Sequence, residues 1–336
     1  MAAMCLVAGV VLASCATATV TVAPHVSGLP ADSISVPLSS VACTTDDSCV
    51  AIGTSNLDVS PTSVGEYRSQ NGRWTALTVP SADTSTYVAT SSCWSDGCVF
   101  VGSQSNSDLV WRYDATANSM SVASAPSGGS GIEEVSCYRA LTCAIIDSSH
   151  STQRFLVTDD GGASWTPVGD IGVASQDSVT SLACTSNLQC IVSFLNASNG
   201  IVVYVTADGG TTWTPRTGFS TATWGALTSL NCVGSKCEGL AKLPSGWRIV
   251  RTDNFGKTWK KVASLSTSIL SLACASLERC VVGGLEGSSS PWLATVVAGS
   301  VTPVKLKYVP TQIADVACGS KICAAIGVTT VMALRP

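Results

Sequence analysis

The sequence predicts an all-β fold: a seven-bladed β-propeller with four antiparallel strands per blade, its last blade completed by an N-terminal strand. Three observations carry this. A unit of short apolar run, cysteine, turn-type residues, second cysteine and second apolar run recurs at Cys43/Cys49, Cys93/Cys98, Cys137/Cys143, Cys184/Cys190, Cys232/Cys237, Cys274/Cys280 and Cys318/Cys323. The first cysteines are 50, 44, 47, 48, 42 and 44 residues apart, a period at which repeated supersecondary units make propellers or arrays. No segment sustains a 3.6-residue apolar period, whereas short runs rich in β-branched residues abound.

Composition narrows the class. With 46% hydrophobic and 12% charged residues in 336, the chain has ample apolar surface to bury and no signature of disorder. A formal net charge of −4, with 18 Lys and Arg scattered along the chain, offers no basic field for nucleic acid. Sixteen cysteines with two histidines and no Cys-x-x-Cys argue for disulfides over metal, since each unit offers two thiolates where structural zinc takes four ligands. Seven hairpin disulfides are therefore expected, in an oxidising compartment, with no metal or cofactor.

The N-terminus reads as an export signal over residues 1–18. Met4 to Leu12 is an apolar run too short to span a membrane. Leu12-Ala13-Ser14-Cys15 resembles a bacterial lipobox, which implies lipidation at Cys15 and an anchor on the membrane surface; no Lys or Arg precedes it. The alternative is ordinary secretion with cleavage after Ala16-Thr17-Ala18. Setting aside Cys5 and Cys15 leaves fourteen cysteines, or seven pairs.

Residues 19–38 precede the first unit but alternate apolar and polar like a strand. The propeller then occupies 39–336, with repeats starting near 39, 87, 132, 179, 227, 269 and 313. Each repeat supplies strand A ending at the first cysteine, B starting at the second, C after a polar loop, and D after a Gly-containing turn. In the first repeat these are the Cys43/Cys49 hairpin, Glu66-Tyr67-Arg68 and Trp74 to Leu77; the second repeats the order with Leu109 to Tyr113 and Met120 to Val122. The last repeat lacks strand D, so an N-terminal strand is expected to close the ring. Ser33 to Pro37 is the preferred segment and Val20 to Ala23 the alternative.

In the middle repeats the C–D turn sharpens into a motif. Thr158-Asp159-Asp160-Gly161-Gly162-Ala163-Ser164-Trp165 and Thr206-Ala207-Asp208-Gly209-Gly210-Thr211-Thr212-Trp213 follow Ser/Thr-x-Asp-x-Gly-x-Thr/Ser-Trp, and Thr252 to Trp259 repeats it with Asn254 in the Asp place. The chain thus resembles the Asp-box (BNR) β-propellers, among them sialidases, other glycoside hydrolases and non-catalytic assembly or receptor propellers. Asp160 and Asp208 are read as turn-stabilising acids, and the Trp as a plug against the neighbouring blade.

The A–B and C–D turns share one face of a propeller, which makes the clasp face architectural and directs the search to the B–C and D–A loops opposite. Candidate binding residues there are Trp224, Tyr87, Glu133, Glu134, His150, Arg154 and Asp177, with Trp224 the best single choice as a sugar-stacking platform. A sialidase's arginine triad is not legible: most arginines fall within strands or on the clasp face. Glu133 or Glu134 with Asp177 is the carboxylate pair a glycosidase would need. The reading is an exported, monomeric, non-catalytic propeller binding a glycan or a protein at the cell envelope, touching membrane only through a lipid anchor. The alternatives are an Asp-box glycoside hydrolase and an assembly factor for a membrane complex.

Overall fold

The computed structural model describes residues 20–23, 38–53, 64–68, 73–77, 79–80, 87–104, 107–123, 125–126, 131–186, 189–198, 200–216, 225–287, 290–306, 312–327 and 331–334. The export-signal region and Cys15 lie outside them. Every regular element among them is a β-strand, and all strand pairs are antiparallel, in four-stranded sheets.

Six sheets are continuous stretches of chain, taken strand by strand in sequence order. Their inner strands A are Leu38–Cys43, Tyr87–Cys93, Ile132–Arg139, Ser178–Ser186, Ala226–Val233 and Ser268–Ser276. Blades 1 to 6 are named from these in order. The chain's last three strands, Ile313–Cys318, Cys323–Gly327 and Val331–Leu334, make a further sheet, blade 7, that takes its fourth strand from Val20–Ala23.

The expectation of a seven-bladed propeller whose last blade is completed by Ser33 to Pro37 is therefore corrected. Only six blades are self-contained, and the composite sheet is completed by Val20–Ala23 in the register Val20↔Leu334 to Ala23↔Val331. Ser33 to Pro37 lies outside the described residues, and the reason it is unsuited is geometric. An outer strand sits three strand spacings, about 14 Å, from the inner edge of its sheet. A strand ending at Pro37 would abut the inner strand that begins at Leu38 and leave no chain to cross that distance.

The core is divided into seven seams, each shared by two adjacent blades. Val50 and Ile52 of blade 1 pack with Phe100 and Trp111 of blade 2, whereas Ala51 packs with Ala324 and Ile326 of blade 7. Strand alternation thus sends one face of each B strand to the preceding blade and the other to the following one. This is why the B strands read as continuous apolar runs: both faces are buried.

The A–B hairpins carry the seven expected disulfides, Cys43–Cys49, Cys93–Cys98, Cys137–Cys143, Cys184–Cys190, Cys232–Cys237, Cys274–Cys280 and Cys318–Cys323, between residues directly opposite in register, with Cα atoms 3.9 to 4.1 Å apart. In the chain-entropy picture a loop this short contributes about 2 kcal/mol. The clasps pin register within blades and do not join one blade to the next by a covalent bond. The second halves of the clasps reach into the core. Cys49, Cys98, Cys143, Cys237 and Cys323 are 0% exposed, so they are core residues that no ligand can touch. The cause is their place on strand B, which is buried on both sides. Cys49 packs beside Ala324 of blade 7, Cys98 beside Val50 of blade 1, Cys143 beside Val99 of blade 2 and Cys237 beside Ile191 of blade 4, each in the seam with the preceding blade.

The Thr-x-Asp turns hold their strands by local bonds. In blade 4 Asp208 accepts from the Thr212 amide (2.9 Å), the Thr212 hydroxyl (2.6 Å) and the Thr206 hydroxyl (2.8 Å), which drives its carboxyl down to about 2. Trp213 then lies edge-on to Phe155 of blade 3 at 5.2 Å, inside the seam between those blades. Gly210, at φ +97°, leaves room for that ring: a Cβ there would meet Phe155 at 2.2 Å.

Candidate functional site

The inner strands enclose a central channel of about 580 Å³, lined by all seven of them. An inner strand would ordinarily present its free edge to this channel, with unpaired amides facing solvent or a neighbouring strand. Aligning the blades on the first cysteine shows how the chain meets this problem. Three positions before it stand Ser40, Thr90, Glu134, Ser181, Ser229, Ser271 and Asp315, polar in every repeat. Just upstream of this position the A–B register slips in each sheet, between Leu38 and Ser40, Val88 and Thr90, Ile132 and Glu134, Val179 and Ser181, Ile269 and Ser271, and Ile313 and Asp315. Blade 5 slips slightly later, between Thr228 and Asn231. A bulge re-aims the residues beside it, and in blades 1, 2, 4, 6 and 7 it turns the polar side chain toward the next blade.

Those side chains stitch the ring. Asp315 of blade 7 accepts from the Val41 amide of blade 1 at 3.0 Å, Ser181 of blade 4 from the Leu230 amide of blade 5 at 2.9 Å, and Ser271 of blade 6 from the Val316 amide of blade 7 at 3.3 Å. Ser40 and Ser91 share a hydroxyl bond of 2.6 Å between blades 1 and 2. Where the residue just before the cysteine is polar it adds or replaces a stitch: Ser92 accepts from the Cys137 amide (2.8 Å), Ser136 from the Cys184 amide (3.0 Å) and Asn231 from the Cys274 amide (3.3 Å). Every seam has at least one such bond, each contributing about 1 kcal/mol and sparing a buried amide a larger penalty. At the closing seam Asp47 also accepts from the Lys321 (2.7 Å) and Ile322 (3.0 Å) amides, tying the blade 1 hairpin to that of blade 7.

Two carboxylates stand in this ring. Asp315 is held by Val41, by its own neighbour Val316 (2.9 Å) and by the Ser271 hydroxyl (2.7 Å); burial nevertheless pushes its carboxyl up to about 6. Glu134 has far less support, a 3.4 Å bond from the Thr90 hydroxyl. Burial pushes its carboxyl up to about 8, with the Thr90 bond opposing and the charges of Glu133 and Asp315 adding to the rise. Blades 3 and 7 are not neighbours, so the two acids stand at separate points of the channel wall.

The residues expected on the loops behave variously. Glu133 and Glu134 are corrected first: both belong to the inner strand of blade 3, not to a loop. Glu133 accepts from the Val179 amide of blade 4 at 2.8 Å and so acts as another stitch. Asp177 has its carboxylate on the Ala197 amide (3.2 Å) and its carbonyl on the Gln153 side chain (2.8 Å). Of the expected pairings, Glu133 with Asp177 is committed to separate backbone partners, whereas Glu134 has the Thr90 hydroxyl as its partner and stands in the channel wall.

His150 and Arg154 do come together. Arg154 Nη1 donates to His150 Nε2 at 2.8 Å, the Ser149 hydroxyl lies 3.0 Å from Nδ1, and the buried Asp147 carboxylate is 3.5 Å away. With Arg154 donating to Nε2, the imidazole carries its proton on Nδ1, so the Ser149 hydroxyl has no free base beside it. Nearby, buried Asp108 accepts from the Gly131 and Ile132 amides and joins blade 2 to blade 3; burial raises its carboxyl. Tyr87 stands exposed at the start of the blade 2 inner strand. Trp224 lies outside the described residues. What sequence reading missed is the polar position three before each cysteine, and its signal was available: seven polar residues of seven in one column.

No protein-family model matches the chain, and no curated protein matches it in sequence. Solved structures do match in shape. YCF48 from Cyanidioschyzon merolae superposes with a TM-score of 0.65 at 15% identity, covering 96% of this chain and 99% of that one. Virginiamycin B lyase from Staphylococcus aureus gives 0.65 at 8% identity over 95% of this chain and the whole of the other. A GH74 xyloglucanase from Xanthomonas campestris gives 0.63 at 12% identity over 89% of this chain and 53% of that enzyme. At these identities the likeness is one of fold: the chain is a β-propeller with four antiparallel strands per blade.

Proposed function

We propose that this chain is an exported propeller that binds a protein partner at the cell envelope without transforming it, anchored through Cys15. The observation that carries the reading is the commitment of its acids. Glu133, Asp177, Asp108 and Asp315 each hold backbone amides of their own or a neighbouring blade, so these acids serve to build the scaffold; Glu133 and Asp177 are divided between two such tasks, and Glu134, in the channel wall, is left with a partner already tied to an amide. Glycoside hydrolysis is the weaker reading for this reason. The seven clasps fit an oxidising compartment, which agrees with export. A YCF48 structure with a bound D1 peptide, at TM-score 0.65 and 13% identity, is a precedent for a peptide on this architecture. The turns at Thr158 to Trp165 and Thr206 to Trp213 are read as Asp-boxes, which would make the chain a BNR-type propeller.

The test is an array of envelope-protein peptides and glycans probed with the full chain, run beside a glycosidase substrate panel. Saturable peptide binding with no turnover is expected. Turnover of any glycoside, lost in Glu134→Gln or Asp177→Asn, would replace this reading with the hydrolase. For the anchor, Cys15→Ser is expected to move the protein from the membrane fraction to the soluble one.

A further inference from the structure

Six of the seven seams present each cystine with an apolar neighbour. The residue after the second cysteine of the preceding blade, Val50, Val99, Ala144, Ile191, Val281 or Ala324, packs in the cluster that holds the next blade's cystine. In blade 5 that place is taken by Glu238, 1% exposed. Its Oε1 accepts from Arg251 Nε (2.7 Å) and Nη2, while Arg251 also donates to the Leu277 carbonyl in the blade 6 hairpin. Its Oε2 points the other way, 3.1 Å from Cys280 Sγ and 3.8 Å from Cys274 Sγ.

That second oxygen is the informative one. A disulfide sulfur carries no hydrogen, so neither sulfur can donate to it. Among the described residues nothing else reaches Oε2, and a buried carboxyl oxygen with no donor favours holding a proton itself. Burial indeed raises the Glu238 carboxyl against the opposing Arg251 bond. The two sulfurs are also unequal. Cys274, the one first cysteine absent from the channel lining, is half-buried, whereas Cys280 is 1% exposed.

We propose that Cys274–Cys280, alone among the seven clasps, is a thiol-exchange site at which a small thiol from solvent is captured on the half-buried Cys274. A thiolate sulfur attacks Cys274 Sγ, the Cys274–Cys280 bond breaks, and Cys280 leaves with the bonding electron pair. It takes the proton from Glu238 Oε2, and the carboxylate so formed is held by Arg251. The products are a mixed disulfide on Cys274 and a thiol on Cys280; attack by Cys280 on the mixed disulfide reverses every step and returns the proton to Glu238. In the other six blades the second cysteine must leave as a bare thiolate into an apolar seam, which burial disfavours. A leaving-group proton of this kind is worth on the order of 10²-fold or more in rate.

The seven clasps control one another. The full oxidised chain is incubated with glutathione, quenched in acid, alkylated and digested, and each cysteine is read by mass spectrometry. Glutathione on Cys274 with an alkylated Cys280 is expected to form at least about 10-fold faster than any other mixed disulfide. Per glutathione thiolate, that rate falls as pH rises and Oε2 loses its proton, while the other six stay level. Glu238→Gln brings Cys274 down to the rate of the rest. Should that variant fold poorly, Glu238→Ile with Arg251→Val reproduces the cross-strand pair Ile191 and Val205 of blade 4 and serves the same purpose. Equal rates at all seven clasps, slower exchange at Cys274, or a fast Cys274 that persists in either variant overturns the proposal.

Discussion

Replacing Glu134 with glutamine should stabilise the protein in alkaline solution and leave it unchanged in acid. The folded-state carboxyl sits at about 8 against an ordinary 4.5, so the folded chain holds this proton more tightly than the unfolded one. Stability from this group is then fully present below pH 4.5 and is lost as pH rises toward 8. If the whole difference counted, the cost of ionising it would approach about 5 kcal/mol; channel water screens the charge, and about 1 to 2 kcal/mol is the effect expected. Glutamine keeps the size and can still accept the Thr90 hydroxyl, but has no charge to desolvate. The assay is thermal or urea unfolding of both proteins without reductant, from pH 5 to 8.5. Wild type should weaken across that range and the variant should weaken less, the two curves meeting near pH 5 and parting by about 2 to 4 °C per kcal/mol at pH 8.5. A wild-type profile flat above pH 6, or a variant destabilised equally at every pH, would refute the claim that Glu134 is a strained charge in the channel.

Other perturbations test the scaffold. Asp47→Ala should cost about 2 to 4 kcal/mol by orphaning the Lys321 and Ile322 amides at the closing seam, whereas Asp47→Asn, which keeps an acceptor, and Asp46→Ala, at an exposed position, should cost little; urea midpoints decide. Gly210→Ala should cost more than about 2 kcal/mol because its methyl enters the Phe155 ring, while Gly172→Ala, with a positive φ of +79° but nothing within 4 Å, isolates the backbone share of about 1 kcal/mol. Asp160 and Asp208 both sit near 2 through turn hydrogen bonds; their support is present above about pH 4 and lost as pH falls through 2, so the double alanine variant should unfold over pH 4 to 2 with a shallower slope than wild type. An unchanged acid-unfolding curve would remove these aspartates from the account of the turn.

The repeat was legible because cysteine is rare and its spacing regular, so Cys184 and Cys190 mark a hairpin wherever their like recurs. Strands B were plain as apolar runs, since Val50 to Ile52 and their counterparts bury both faces. The same burial takes in the cysteine that opens each of those strands, which is why Cys49, Cys98, Cys143 and Cys237 sit in seams although their turns looked like surface features. The closing strand was harder: Ser33 to Pro37 and Val20 to Ala23 alternate equally well, and only the distance across a blade separates them. Glu133 and Glu134 misled for a physical reason. Two adjacent acids read as a solvated loop, but a bulge at this point in the inner strand sends one to the Val179 amide and the other into the channel. Ser181 and Ser271 give no local signal, because their worth lies in amides 49 and 45 residues away, and a column comparison exposes that only once the blades are superposed. Glu238 carried a louder signal, an acid in a column of Val, Ala and Ile, yet its neighbour in the fold is a cystine of the next blade.

The central claim is that the chain binds without catalysis. The most direct measurement is mass spectrometry of the ligands recovered from the full chain after prolonged incubation with mixed envelope peptides and glycans. A peptide retained by the protein and recovered at its original mass is the expected result. Ligands recovered as cleaved or rearranged products, with their precursors consumed, would contradict it.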